Sequence, residues 1–187
     1  MRYPVCFVIL ALMLAVTSCS HATTRIPQNE GIIGFEEFCV SSESTELETY
    51  TKGTMFVSRN EGKSNEYHVQ IVAWVEVDPK DWGGINFTIP FGWEVVGITS
   101  SYKGEYKVNP ADNISVWSRT YDHWYQSVVV EDIGGGRGTL LIELDSTSSE
   151  RNPWPGVLKV RVGVGSDEKD GVRVQYPDWQ EIEIPLN

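Results

Sequence analysis

From Thr54 onward the chain alternates between apolar and polar residues with a period of two. Tyr67, Val69, Ile71, Ala73, Val75 and Val77 are interleaved with His68, Gln70 and Glu76. The same alternation runs through Ile85, Phe87 and Ile89, through Leu140, Ile142 and Leu144, and through Leu158, Val160, Val162 and Val164. It returns in Ile182, Ile184 and Leu186. Successive side chains of a strand point to opposite faces, so each run predicts a strand with one buried face. Turn formers separate the runs: Gly83-Gly84, Pro90-Phe91-Gly92, Asn109-Pro110, Gly134-Gly135-Gly136 and Asn152-Pro153. After residue 18, no helical period lasts three turns before Gly, Pro or a β-branched run breaks it. Two-faced strands need a second layer over their apolar side. The pattern therefore predicts an all-β fold, an antiparallel β-sandwich of about nine to ten strands, immunoglobulin-like or jelly-roll and cohesin-like in type. The polar, acidic stretch Ser41 to Lys52 reads as a long loop.

The first residues follow a different rule. Arg2 is followed by an uncharged apolar run from Val5 to Val16. A spanning helix needs roughly 20 apolar residues, so this run reads as the core of an export signal. It ends in Val16-Thr17-Ser18-Cys19, a quartet that resembles the lipobox of bacterial lipoproteins: an aliphatic residue, two small ones, then cysteine. The resemblance implies cleavage before Cys19 and acylation of its sulfur. The family most often has Leu where Val16 stands, and cleavage after Ala22 is the alternative, giving an unanchored secreted protein. Acyl chains contribute about 0.8 kcal/mol per buried CH₂, enough for two or three of them to hold a domain on a membrane. The expected division is residues 1–18 as signal, 19–31 as a lipidated tether, and 32–187 as one sandwich domain. The expected address is a cell membrane or outer membrane, with the domain outside the cytoplasm.

Charge and cysteine content narrow the partners. The formal net charge is −11. Such a surface repels phosphate backbones and anionic lipid headgroups, which argues against nucleic acid and leaves membrane attachment to the acyl chains. There are three cysteines. With Cys6 in the signal and Cys19 as a thioether, Cys39 is expected to have no disulfide partner in the domain and to sit buried between Phe38 and Val40.

One passage resembles a family. Gly84-Ile85-Asn86-Phe87-Thr88-Ile89-Pro90, a turn, then Trp93-Glu94-Val95-Val96-Gly97-Ile98 is similar to a strand–turn–strand passage of cohesins and related carbohydrate-binding modules. Gly156 to Val164 and the strand around Ile182 to Leu186 resemble their closing strands. The resemblance covers about half of the domain, and the acidic residue usual in the first turn is replaced by Pro90-Phe91-Gly92. It implies an extracellular recognition module and transfers no particular ligand.

Catalytic patterns are sparse. Of the three histidines, His21 lies in the tether, His68 on a polar strand face and His123 in a loop, without zinc-ligand spacing. Gly134 to Gly138 lacks the Lys-Ser/Thr of a phosphate loop. The chain reads as non-catalytic, with no required cofactor. Calcium is a candidate at Asp167 and Asp170 in the acidic segment Ser166 to Gly171, where Lys169 intrudes, and Asp78, Asp81 and Asp112 stand in other loops. The unusual feature is seven tryptophans. Three aromatic groups fall in or beside predicted loops: Trp117 with Tyr121, Trp124 and Tyr125; Trp154 between two prolines; and Trp179 after Tyr176-Pro177. Trp117, Tyr121, Trp124, Tyr125 and Trp154 are the candidate ligand-binding residues, as a stacking platform for sugars or as anchors for a protein. Burial as end caps is the competing role. The expected function is a lipid-anchored binding module for a protein or glycan partner. The alternatives are a structural lipoprotein of an envelope assembly and a small secreted hydrolase. Asn86-Phe87-Thr88 and Asn113-Ile114-Ser115 also match the glycosylation acceptor pattern.

Overall fold

The computed structural model describes residues 31–59, 67–105, 110–121, 124–131, 134–147 and 154–186. Eleven strands occur among them. They are β1 (Ile32–Ser41), β2 (Tyr50–Arg59), β3 (Tyr67–Val77), β4 (Ile85–Pro90), β5 (Trp93–Ser100) and β6 (Lys103–Gly104). After a 3₁₀ turn at Pro110–Asn113 come β7 (Ile114–Tyr121), β8 (Trp124–Val130), β9 (Gly136–Ser146), β10 (Val157–Lys169) and β11 (Val172–Pro185). Sheet A runs β1-β2-β3-β9-β5, with β6 also paired to β9, and sheet B runs β11-β10-β4-β8-β7. Every pairing is antiparallel. The expected all-β sandwich is the fold. Among the described residues no helix is long and apolar enough to cross a membrane.

The period-two runs become the inner faces. Val69, Ile71, Ala73, Val75 and Val77 of β3 are buried against Phe87, Val160 and Val162 of sheet B in one apolar core. Phe38 meets Phe87 edge to face, with ring centroids 6.1 Å apart, and so joins the sheets at the core. The stretch Ser41 to Lys52, expected to be a loop, is shorter as a loop, because Tyr50, Thr51 and Lys52 already belong to β2. Thr51 is buried and its hydroxyl donates to the carbonyl of Trp74. A hydroxyl paired to the neighbouring strand lets a polar-looking residue occupy an inward position.

Cys39 differs from expectation. Alternation along β1 puts Phe38 and Val40 inside, so Cys39 points to the outer face and is half-buried. It is disulfide-bonded rather than an inert buried thiol. The two other cysteines of the sequence, Cys6 and Cys19, lie outside the described residues.

A polar cluster closes one end of the core. Asp81 is 2% exposed and accepts hydrogen bonds from Thr49 Oγ1 (2.6 Å), Ser166 Oγ (2.5 Å) and the Gly83 amide (2.8 Å). Thr49 Oγ1 in turn accepts from the Asp78 amide at 3.0 Å. The cluster ties the β1–β2 and β3–β4 loops to strand β10 and so links the two sheets at this end.

Candidate functional site: the outer face of sheet B

Strand register assembles this face. Core residues Val160 and Val162 turn Lys159, Arg161 and Gly163 outward on β10, and Ile182 and Ile184 turn Trp179, Glu181 and Glu183 outward on β11. Pairing then lines up Glu181, Arg161, Thr88, Ser127 and Trp117 in one row across all five strands. The next row holds Trp179, Gly163, Asn86, Val129 and Ser115. Strands are about 4.8 Å apart, so Trp179 on one edge and Trp117 on the other are separated by four steps, about 19 Å. Both indoles are open to solvent, at 56% and 57% exposure. Between them lies a floor of half-buried Asn86, Thr88 and Ser127.

Between β8 and β11, aromatic and cationic groups stack in a ladder across the sheet. Trp154 and Trp124 have ring centroids 5.4 Å apart. The Arg161 guanidinium lies 4.9 Å from the Trp124 ring and 4.6 Å from Trp179, and Lys159 Nζ lies 5.2 Å from Trp154. Lys159 also pairs with Glu183, and with Glu181 at 3.3 Å, while Arg161 reaches Glu181 at 3.5 Å. The hydrogen bond to Glu183, more than any other neighbour, holds the Lys159 ammonium above its usual range, so it stays charged. Two cations and two carboxylates leave this part of the face neutral. Asn86 Oδ1 and Arg161 Nε are buried without a hydrogen-bond partner. Each such atom costs about 1–3 kcal/mol.

Tyr176 fixes the edge of this face. It has a left-handed backbone (φ 55°), and with Pro177 it forms the extra length of a bulge opposite Gly165. A Cβ on Gly163 would come within 2.7 Å of the Tyr176 Cβ, so only glycine lets the two strands approach this closely. Burial pushes the Tyr176 phenol well above its usual range, with Glu131 and Asp81 adding to the effect.

The candidate aromatics therefore divide. Trp117 stands exposed on the platform, and Trp154 is half-buried in the ladder. Trp124 is only 8% exposed and supports the ladder from beneath Arg161. Tyr125 stacks on Phe91 at 5.5 Å, away from the ladder contacts. Tyr121 ends β7 opposite Trp124, and His123 lies outside the described residues. Lys159 and Arg161 did not stand out in the sequence, although strand alternation already placed them opposite core positions, and Asn86 stood out only as part of a glycosylation acceptor pattern. Trp179 was visible as an aromatic near a turn but not as the counterpart of Trp117. That pairing depends on β11 and β7 being the two edges of one sheet.

The calcium candidates do not converge on a site. Asp167 lines an open cleft of about 570 Å³ with Glu43, Glu46, Lys80, Trp82 and Glu168. Its carboxylate accepts from the Glu168 amide at 2.8 Å and pairs with Lys169 at 3.1 Å. Asp170 is exposed in the β10–β11 turn at φ 54°, followed by Gly171 at φ 76°, the geometry of a tight hairpin turn. Among the described residues no group of three or more His, Cys, Asp or Glu is placed to hold a metal ion.

No protein-family model matches the chain, and no curated protein matches it in sequence. The likeness to cohesins thus rests on strand pattern alone.

Proposed function

We propose that this protein is a non-catalytic binding module outside the cytoplasm, which takes its protein or glycan partner on the outer face of sheet B. One observation carries the reading: two exposed tryptophans bracket a hydrogen-bonding floor from opposite edges of the same sheet. Rigid aromatic anchors around a polar patch are what recognition surfaces use. The carboxylates on this face, Glu181 and Glu183, are engaged by Lys159 and Arg161, which supports binding over acid–base chemistry. The test presents a glycan array and a detergent-solubilised membrane extract to the wild type and to a Trp117→Ala/Trp179→Ala variant. A ligand retained by the wild type and lost by the variant, at unchanged melting temperature, is the expected result. A ligand held equally by both overturns the reading.

We propose further that acylation at Cys19 anchors the module, on the strength of the Val16-Thr17-Ser18-Cys19 quartet. This quartet lies outside the described residues. The disulfide at Cys39 competes with the proposal. A chain that has lost residues 1–18 contains only Cys19 and Cys39, so a thioether at Cys19 and an intramolecular disulfide at Cys39 exclude each other. Intact-mass measurement of the membrane-extracted protein, with and without reductant, distinguishes the two. Added acyl mass with no change on reduction establishes the anchor and shows that the lipidated protein lacks the Cys39 disulfide. A gain of two hydrogens on reduction with no acyl mass shows a Cys19–Cys39 pair and removes the lipid anchor.

A further inference from the structure

Each sheet ends in two edge strands, β1 and β5 in sheet A and β11 and β7 in sheet B. An edge strand presents unpaired N–H and C=O groups, and proteins blunt it with bulges, prolines or charged side chains. Three of these edges are blunted. β1 has a bulge between Ile32 and Gly34 and carries Glu36 and Glu37. β5 has a bulge between Val95 and Gly97 and carries Glu94. β11 is irregular where it passes Gly165 and carries Pro177, Glu181 and Glu183. β7 has none of these over Ile114-Ser115-Val116-Trp117-Ser118, which keeps an unbroken register with β8. Among the described residues no strand pairs with its outer edge.

We propose that this edge pairs with the same edge of a second copy of the chain, antiparallel about a two-fold axis through Val116, so that the two copies of sheet B become one continuous sheet. The exposure of the strand points to it. Val116 lies opposite buried Val128, so alternation turns it to the inner side, yet it is 47% exposed because sheet A does not cover it there. Trp117, on the other face, is 57% exposed. Two large apolar side chains in succession are thus open to water on an edge with backbone groups to pair.

The sequence of the strand selects a second copy as the occupant. A two-fold axis at Val116 sets Val116 against Val116, Ile114 against Ser118 and Ser115 against Trp117. Directly opposed side chains of an antiparallel pair stand about 4.5–5.5 Å apart, so each indole meets a small serine and the two valines cover each other. Charge fits as well. Although the chain carries −11, Ile114 to Tyr121 contains no carboxylate, and its single charged residue is Arg119. Antiparallel pairing sets the Arg119 end of each strand beside the end of the other that exposes Asp112, which places opposite charges together. Self-pairing uses up both edges, so the assembly closes at two copies.

Sedimentation equilibrium of the full chain tests the pairing, in reductant so that cysteines form no cross-link, together with amide hydrogen exchange at low and high protein concentration. A reversible monomer–dimer equilibrium is expected, with exchange slowed at Ser115 to Ser118 in the dimer and unchanged at β1, β5 and β11. Val116→Lys should weaken dimerisation at least about tenfold, since an inner-side charge blunts an edge and a long side chain at this exposure still reaches water. Phe35→Ser on sheet A should leave dimerisation unchanged. A monomer at every concentration, growth beyond two copies, or a dimer whose slowed amides lie at another edge overturns the pairing. The exchange readout on the wild type decides this even where Val116→Lys does not fold. The pairing does not depend on what the outer face binds, and Trp179 stands on the opposite edge, so Trp179→Ala should keep the dimer while weakening ligand capture. A monomer that still loses its ligand through Trp179→Ala overturns the pairing alone. A dimer whose ligand capture is indifferent to Trp179→Ala overturns the binding face alone.

Discussion

The two outer faces of the sandwich both expose large apolar side chains, yet they are built differently. On sheet A, Phe35 pairs directly with Phe56 across β1 and β2, and Val72 pairs with Leu141 across β3 and β9. Phe35, Val72 and Trp74 remain partly exposed there, so the apolar groups sit side by side and shelter one another. Polar groups gather toward one end of this face, where His68 meets Asp145 at 2.7 Å and Gln70 reaches Glu143. On sheet B the exposed indoles stand apart, at opposite edges, with hydrogen-bonding residues between them. A continuous apolar strip offers area but no register. Separated stacking surfaces with polar groups between them fix both the orientation and the length of what binds. The sheet B indoles are also the more exposed, and the arrangement around each aromatic separates the faces further.

The largest expected effect tests that separation. Trp117→Ala with Trp179→Ala on sheet B should reduce ligand affinity about a hundredfold, because two distant anchors of about 1.4 kcal/mol each add. Phe35→Ser with Val72→Thr on sheet A should change affinity less than about twofold, since neither residue touches the platform. Equal losses from the two pairs would show that the distinction between the faces is false.

A smaller effect is expected at the edge that positions Trp179. Gly163→Ala puts a methyl group against Tyr176, where 2.7 Å leaves no room, and β11 must shift to accept it. Overpacking of this kind costs about 1–3 kcal/mol. The shift also carries Trp179 away from Arg161, so affinity should fall along with stability. Denaturant melts and titrations of the same variant measure both. On sheet A, Thr54→Ala lies in a row without such a close approach and should stay within about 0.5 kcal/mol of wild type.

Much of this architecture was legible before any coordinates. Strict alternation through Val69 to Val77 and Leu158 to Val164 fixed the inward residues, because a one-residue slip would expose them all. The outward residues of sheet B were fixed by the same rule, but their meaning was not. Arg161 looks like an ordinary solvated charge until pairing places Thr88, Ser127 and Trp117 in its row. Asn86 matched an acceptor pattern for glycosylation, whereas its place on central strand β4 puts it half-buried in the floor. Trp124 looked like part of a loop platform, and the bulge opposite Pro90 tucks it beneath Arg161 instead. Strand order is set by non-local pairing, so a site assembled across five strands leaves no contiguous trace in the sequence.

The smallest expected effect concerns two tyrosines on opposite sheets. Burial holds the Tyr176 phenol well above its usual range. Tyr50 on β2 is raised as well, by burial first and then by Glu76, though less strongly. Each group therefore has a folded pKa above its unfolded value of 10.0. The unfolded chain loses these protons first as pH rises, so the stabilising contribution is complete below pH 10 and is lost on passing through the folded values. Melting temperature should fall through this alkaline range. For a domain of this size each kcal/mol corresponds to about 2–4 °C. Tyr176→Phe should flatten the alkaline fall by more than Tyr50→Phe, and neither should alter the melting temperature's dependence on pH between 6 and 9. If Tyr50→Phe flattens it more, the edge of sheet B is not packed around Tyr176 as described, and the placement of Trp179 beside it loses its support.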